Sequence, residues 1–242
     1  MGKRIRAIAA FLLFVSLFFS AVLSFGGTAV QEPTTAVSKR MTDARGICVI
    51  LDAGHGGEDG GAVSAAGAAE KSLNLSIALA LGDMLQACGV EVIYTRTEDD
   101  GLYDGAVTGH RKMTDLKNRL AVRQAYPDAL FLSIHMNTFS DPRCHGMQLF
   151  YSDNDPSSAQ LAECLRNANM QYLQPDNTRA CKAADTSIYL IDRSCGTTVL
   201  AECGFLSNPE EAAQLMKTEY REQIAAVLCL GILNFIKESS LQ

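Results

Sequence analysis

Basic residues are not in excess in this chain. Its 242 residues hold 21 lysines and arginines against 27 aspartates and glutamates, a formal net charge of -6. Nucleic acid is thereby excluded as a partner, because binding a phosphate backbone needs a basic face. The acidity predicts only a solvated, self-repelling surface. No C-x-x-C pair occurs among the eight cysteines. Cys48 in "ICVIL", Cys203 in "VLAECGF", and Cys164 and Cys229 in helical patterns read as small buried hydrophobes. Few or no structural disulfides are expected, even in an exported chain. From residue 46 onward there is no internal repeat, low-complexity tract or second linker, so one domain of about 200 residues is the simplest account. Histidine is scarce too, with four in all: His55, His110, His135 and His145.

At the N-terminus, Lys3, Arg4 and Arg6 precede the nearly unbroken apolar stretch "AIAAFLLFVSLFFSAVLSF", Ala7 to Phe25. A basic region followed by a hydrophobic one is the pattern of an export signal. At roughly 20 residues it is also long enough to span a bilayer as a helix. Residues 1–25 are therefore read as a signal peptide or a membrane anchor, the latter tying the chain to the membrane. Either way the remainder works outside the cytoplasm. Residues 26–45 mix Gly, Pro, Thr and charge without periodicity and read as a linker. The domain is placed at 46–242.

Within that domain strand and helix patterns alternate. "ICVILDAG" reads as a strand leading through a glycine loop into the helix "EKSLNLSIALALGDMLQACG". There Leu73, Ile77, Leu81 and Leu85 recur every four residues until Gly89. Further strands are expected at "VEVIYTRT", "ALFLSIHMN", "GMQLFYS", "SIYLI" and "TTVLAECGF". Helices are expected at "RKMTDLKNRLAVRQAY", from Pro156 through "SSAQLAECLRNANMQYL", and over 218–238. In "SNPEEAAQLM", Asn208 is placed to cap a short helix, Pro209 to open it, and Glu211 to complete a capping box. The bases at 111, 112, 117, 119 and 123 are read as a solvated face. The fold class is α/β: a mostly parallel, mixed sheet of about six strands with helices on both faces.

Sites in open α/β sheets form at the carboxyl ends of the strands. His55 follows "VILDAG", His135 closes "LFLSI" and Glu202 closes "TVLA", while Glu70 begins the helix that returns to the same edge. Isolated buried charges cost several kcal/mol, so such a gathering calls for a common partner. Two imidazoles and one carboxylate, with a fourth position left to water, make a catalytic zinc site, and the second carboxylate is then the expected base. Glycines around His55 allow close approach. On residues alone, each also has a plain alternative: a core histidine, a helix-dipole carboxylate at Glu70, an arginine partner for Glu202.

In this order and at these separations, "LDAGHGG…E", "SIHMN" and "AECGFLSNPEE" resemble the N-acetylmuramoyl-L-alanine amidase type 3 family of zinc-dependent peptidoglycan hydrolases. The resemblance covers about residues 46 to 238, and Thr95-Arg96 and Arg119 fit it as well. The sequence departs at Ala53, where the family usually has proline, at Met136 in the usual "HAN", and at Gln124; none of these removes a ligand. The resemblance implies that His55, Glu70 and His135 hold one Zn2+ and that Glu202 is catalytic. Asp52 and Asn137, beside ligands, are candidate supporting or substrate contacts. The implied reaction is hydrolysis of the amide joining N-acetylmuramic acid to L-alanine, with peptidoglycan stem peptide and glycan as substrate. The set looks most like the spore-cortex, germination-type amidases of endospore formers. That implies an extracytoplasmic, cell-wall or membrane-anchored protein, with the forespore intermembrane space as one location, working in cortex formation or wall remodelling. A zinc peptidase cutting within the stem peptide and a non-catalytic wall-binding module are the alternatives. One helix takes up the stretch between "GMQLFYS" and "SIYLI", leaving little room for another to plug the site, so regulation by a separate activating partner is a further expectation.

Overall fold

A computed structural model describes residues 46–103 and 111–240. The N-terminal apolar stretch, the linker and His110 lie outside the described residues, and no described helix is long and apolar enough to cross a membrane. Six strands form one sheet: β1 (Cys48–Ala53), β2 (Glu91–Tyr94), β3 (Leu130–Asn137), β4 (Gln148–Tyr151), β5 (Lys182–Ala183) and β6 (Thr198–Phe205). Six helices accompany them: α1 (Glu70–Ala87), α2 (Arg111–Ala125), α3 (Pro156–Tyr172), α4 (Tyr189–Arg193), α5 (Pro209–Leu215) and α6 (Thr218–Ser239). The expected α/β class and mixed sheet are found.

The strand order is β2-β1-β3-β6-β4-β5. β2, β1, β3 and β6 are mutually parallel, β4 runs antiparallel to β6, and β5 lies parallel to β4. Alternation along the strands divides the core. Val49, Leu51 and Ala53, with Leu132, Ile134, Val199 and Ala201, face α1, α3 and α6. Ile50, Phe131 and Leu200 face the other way, toward α2 and Leu190 and Ile191 of α4. Covering on both faces explains why the central strands read as nearly continuous apolar runs. The fourfold apolar repeat of α1 is its buried stripe, and Gly89, at φ +83°, ends it in a conformation that favours glycine.

From β1 the chain moves to β2 on one side, and the next strand, β3, returns to the other. Such a reversal opens a crevice beyond the carboxyl ends of the two central strands. His55 and His135 stand there.

Three local readings are corrected. "SIYLI" is not a strand: Asp185 accepts from the backbone N–H of Ser187 (2.8 Å) and of Ile188, starting a turn that becomes α4. The edge place goes to the two-residue β5, whose exposed Lys182 and Ala183 carry no apolar signal. Asn208 does cap α5, accepting from Glu211 N–H at 2.9 Å. Glu211, however, does not turn back to close a capping box. Its carboxylate accepts from the backbone N–H of Phe205 (2.7 Å) and Gly146 (2.9 Å), stapling the end of β6 to the loop before β4. Finally, Arg119 and Arg123 of α2 are fully buried rather than solvated, because polar groups of the sheet edge claim them. Arg123 donates to Thr198 Oγ1 and Tyr126 O. All eight cysteines are free thiols.

Candidate metal centre

The site begins with the backbone. After Ala53 the chain leaves β1 through Gly54, and His55 takes φ +61°, the only positive φ of a non-glycine among the described residues. That conformation is uncommon for a side-chain-bearing residue and persists where surroundings enforce it. Two guanidiniums do so here. Arg119 donates to Ala53 O (2.8 Å) and His55 O (2.7 Å), while Arg96 donates to Ala53 O (2.8 Å) and Gly54 O (3.0 Å). Three successive carbonyls are thus held by two buried arginines. Glycine at 54 is required by the neighbour: a Cβ there would lie 2.1 Å from His135 Nε2.

Arg119 is itself anchored by Asp52, fully buried at 2.5 Å, and by Asp115 at 2.6 Å. Asp52 also accepts from Thr95 Oγ1 (2.8 Å) and Ser133 Oγ (2.6 Å). Burial alone would raise the Asp52 carboxyl; Arg119, Ser133, the nearby His135 and Thr95 outweigh it and hold it below the usual carboxylate range. A depressed carboxyl stabilises the fold above its unfolded value of about 3.9 and loses that contribution as pH falls through the lower folded value. Asp52→Asn leaves a buried guanidinium short of its partner. It is expected to destabilise the protein by about 3–5 kcal/mol at pH 7, with the gap to wild type narrowing below pH ~3.9. Urea unfolding at several pH values measures this.

His55, Glu70 and His135 converge on the crevice. Their donor atoms lie within 4.8 Å of one another, and among the described residues no other group of three or more His, Cys, Asp or Glu donors is so arranged. Glu70, the first residue of α1, is buried. Its Oε1 is 2.9 Å from His135 Nδ1 and its Oε2 3.3 Å from His55 Nε2. Backbone N–H groups of Ala62 (2.8 Å) and Met136 (3.0 Å) donate to the same carboxylate. Burial pushes Glu70 upward, but the two imidazoles win and hold it far below the ordinary range; His55 is correspondingly raised despite its own burial. The rings meet edge to face with centroids 4.9 Å apart. Gly61 opens the remaining side, since a Cβ there would lie 2.5 Å from Glu70 Oε2.

The donor set fits a zinc ion: two imidazole nitrogens and a carboxylate, crowded by glycines and desolvated. Sequence reading missed the residues that orient it. Asp59 Oδ2 sits 2.9 Å from His55 Nδ1, fixing the ring so that Nε2 faces Glu70. Asn74 donates to Gly54 O (3.1 Å), tying α1 to the His55 loop. An aspartate four residues after a histidine was the available signal for Asp59; Asn74 looked like any helical polar residue. Asp59→Ala is expected to weaken zinc binding by about 10- to 100-fold with the fold intact, read by chelator competition.

Glu202 stands apart from the three donors but beside them. It is opposite His135 in the β3/β6 register, so the two side chains share a face of the sheet. Its Oε2 is buried and has no hydrogen-bond partner among the described residues. Burial, opposed by the imidazoles and reinforced by the Glu70 charge, pushes its pKa up to about 7. Asn137 ends β3, accepting from Leu206 N–H through its backbone carbonyl. His145 lies elsewhere, in an exposed loop.

Known proteins are similar to this chain over most of its described length. The N-acetylmuramoyl-L-alanine amidase family matches residues 49–234. The germination-specific N-acetylmuramoyl-L-alanine amidase of Bacillus subtilis is 31% identical over 240 residues, covering 98% of this chain and 98% of its own. Among solved structures, the CwlD amidase of Clostridioides difficile, in complex with the GerS lipoprotein, superposes with a TM-score of 0.76 at 35% identity. That match covers 79% of this chain and 99% of the other. The amidase AmiC2 of Nostoc punctiforme gives 0.68 at 28%, covering 79% and 97%. With β1, β3, β6 and the first residue of α1 delivering two histidines and two glutamates to one crevice, and with these relatives, the chain belongs to the N-acetylmuramoyl-L-alanine amidase family.

Proposed function

We propose that His55, Glu70 and His135 hold one zinc ion and that Glu202 is the general base of a peptidoglycan amidase, splitting the amide between the lactyl group of N-acetylmuramic acid and L-alanine. The observation that carries this is the orphan Glu202 Oε2, a buried acceptor without a partner next to a complete three-donor cluster. Buried acceptors are nearly always paired, so an unpaired one at a crevice is kept for a proton that arrives with water or substrate.

A zinc ion on these donors supplies a Lewis acid, able to bring the pKa of water down to about 7 and to polarise a carbonyl. The chain's own residues do the rest. Glu202 takes the proton from the attacking water at Oε2 and returns it to the leaving L-alanine nitrogen, so the amine departs neutral. Asp59 keeps the His55 ring in one tautomer and orientation. Arg96 and Arg119 keep the His55 carbonyl and its two predecessors from shifting, so the ligand geometry is set before substrate arrives.

Similarity to the germination-specific amidase of Bacillus subtilis supports a role on spore peptidoglycan, in cortex formation or germination. The basic-then-apolar N-terminus supports export, as a cleaved signal or a retained anchor, and action outside the cytoplasm. The lipoprotein complex of the related CwlD amidase supports a separate protein partner for this chain. Digestion of purified peptidoglycan followed by identification of the new termini tests the bond assignment. A free lactyl carboxylate and an L-alanine amine are expected. Cut peptides with intact muramyl-alanine linkages indicate a stem peptidase, and unchanged peptidoglycan a binding module.

A further inference from the structure

A cleft of about 1110 Å³ lies at the β4 side of the sheet, between the loop preceding β4 and the 173–182 segment. Gln148 lines it, and Gln148 is the register partner of Glu202. The cleft therefore starts one strand away from the proposed base. Its charged side chains are unequally available. Arg143 is engaged by Asp141 at 2.7 Å, and Glu211 is occupied by the Phe205 and Gly146 N–H groups. Asp176, Glu210, His145 and Lys182 stand exposed at the rim.

Arg179 differs from all of these because it is fixed at four points. Its N–H donates to Asn177 Oδ1 (3.0 Å), and its carbonyl accepts from Arg166 Nε (2.8 Å). Its own Nε donates to His145 O (2.9 Å), and its guanidinium lies 4.7 Å over the ring of buried Phe205. The segment carrying it is pinned as well: Asn177 donates to Met147 O, and Gln174 accepts from Met147 N–H. Nη1 and Nη2 bond no described residue. A stacked, immobilised guanidinium with its outer fork free is built for bidentate capture of a carboxylate, with little side-chain entropy left to lose.

We infer that Arg179 is a specificity-determining residue that binds a carboxylate of the stem peptide, an inference that rests on the amidase reading. The glycan offers no such group, since the lactyl carboxyl is tied up in the scissile amide. Phe205 lies beyond Glu202 on β6 across a bulge that pairs it with Asn137, two residues past His135, a span of about 7 Å at the strand rise. An extended peptide covers that span in about two residues, so the carboxylate belongs to one of the first three stem residues.

The test uses the zinc-loaded protein and two synthetic N-acetylmuramoyl peptides, one with free stem carboxylates and one with those groups converted to amides. Wild type is expected to favour the free-carboxylate substrate by about 10- to 100-fold in kcat/KM. Arg179→Gln is expected to lose that preference, and Arg179→Lys, which keeps the charge without the fork, to retain part of it. Equal cleavage of both substrates by wild type overturns the inference, as does undiminished discrimination in Arg179→Gln or an equal loss on both substrates. Cleavage of neither by wild type would instead overturn the amidase reading beneath it.

Discussion

Glu202→Gln is expected to bind zinc as wild type does and to hydrolyse peptidoglycan at least about a thousandfold more slowly. The glutamine keeps the shape of the side chain on β6 and removes its capacity to take a proton. Because Oε2 has no partner to lose among the described residues, the substitution breaks no described hydrogen bond at that atom, and melting temperature should hold or rise as a buried ionisable group is replaced by a neutral one. Loss of rate with unchanged metal content is the signature of a proton-transfer role. A variant with near-native turnover would refute it. One that lost zinc as well would place Glu202 among the ligands.

His135→Ala should do the reverse and fail first at the metal. Removing one of three protein donors is expected to cost more than the roughly 10- to 100-fold in zinc affinity typical of losing an outer partner, so the purified variant should carry little zinc. It also strips Glu70 Oε1 of its 2.9 Å partner, although the Met136 and Ala62 N–H groups remain to satisfy that carboxylate. The fold should survive. Elemental analysis showing one tightly held zinc per chain in this variant would remove His135 from the ligand set.

Much of this was legible in the sequence. Helix α1 and strands β1, β3 and β6 are long and strongly patterned, and the four polar residues at their ends stood out because each interrupts or follows an apolar run. What failed was short or depended on distant partners. "SIYLI" has strand composition, but an aspartate two residues before it starts a turn, and the second core layer needs Leu190 and Ile191 from a helix. Glu211 sits at the capping-box position, yet two backbone donors of the sheet edge compete for it and win. Arg119 and Arg123 read as a solvated charge run because nothing local reveals that Asp52, 67 residues from Arg119, and Thr198, 75 residues from Arg123, wait in the core. Asp59 and Asn74 were passed over for the same reason: what they hold is the His55 loop, and that is visible only in three dimensions.

The most direct measurement is a crystal structure of the zinc-loaded protein with anomalous diffraction recorded at the zinc edge. A single strong peak bonded to His55, Glu70 and His135 is expected, with Glu202 close by but outside the coordination shell. A peak elsewhere, no peak in a well-folded and active protein, or coordination by Glu202 in place of Glu70 would contradict the ligand assignment.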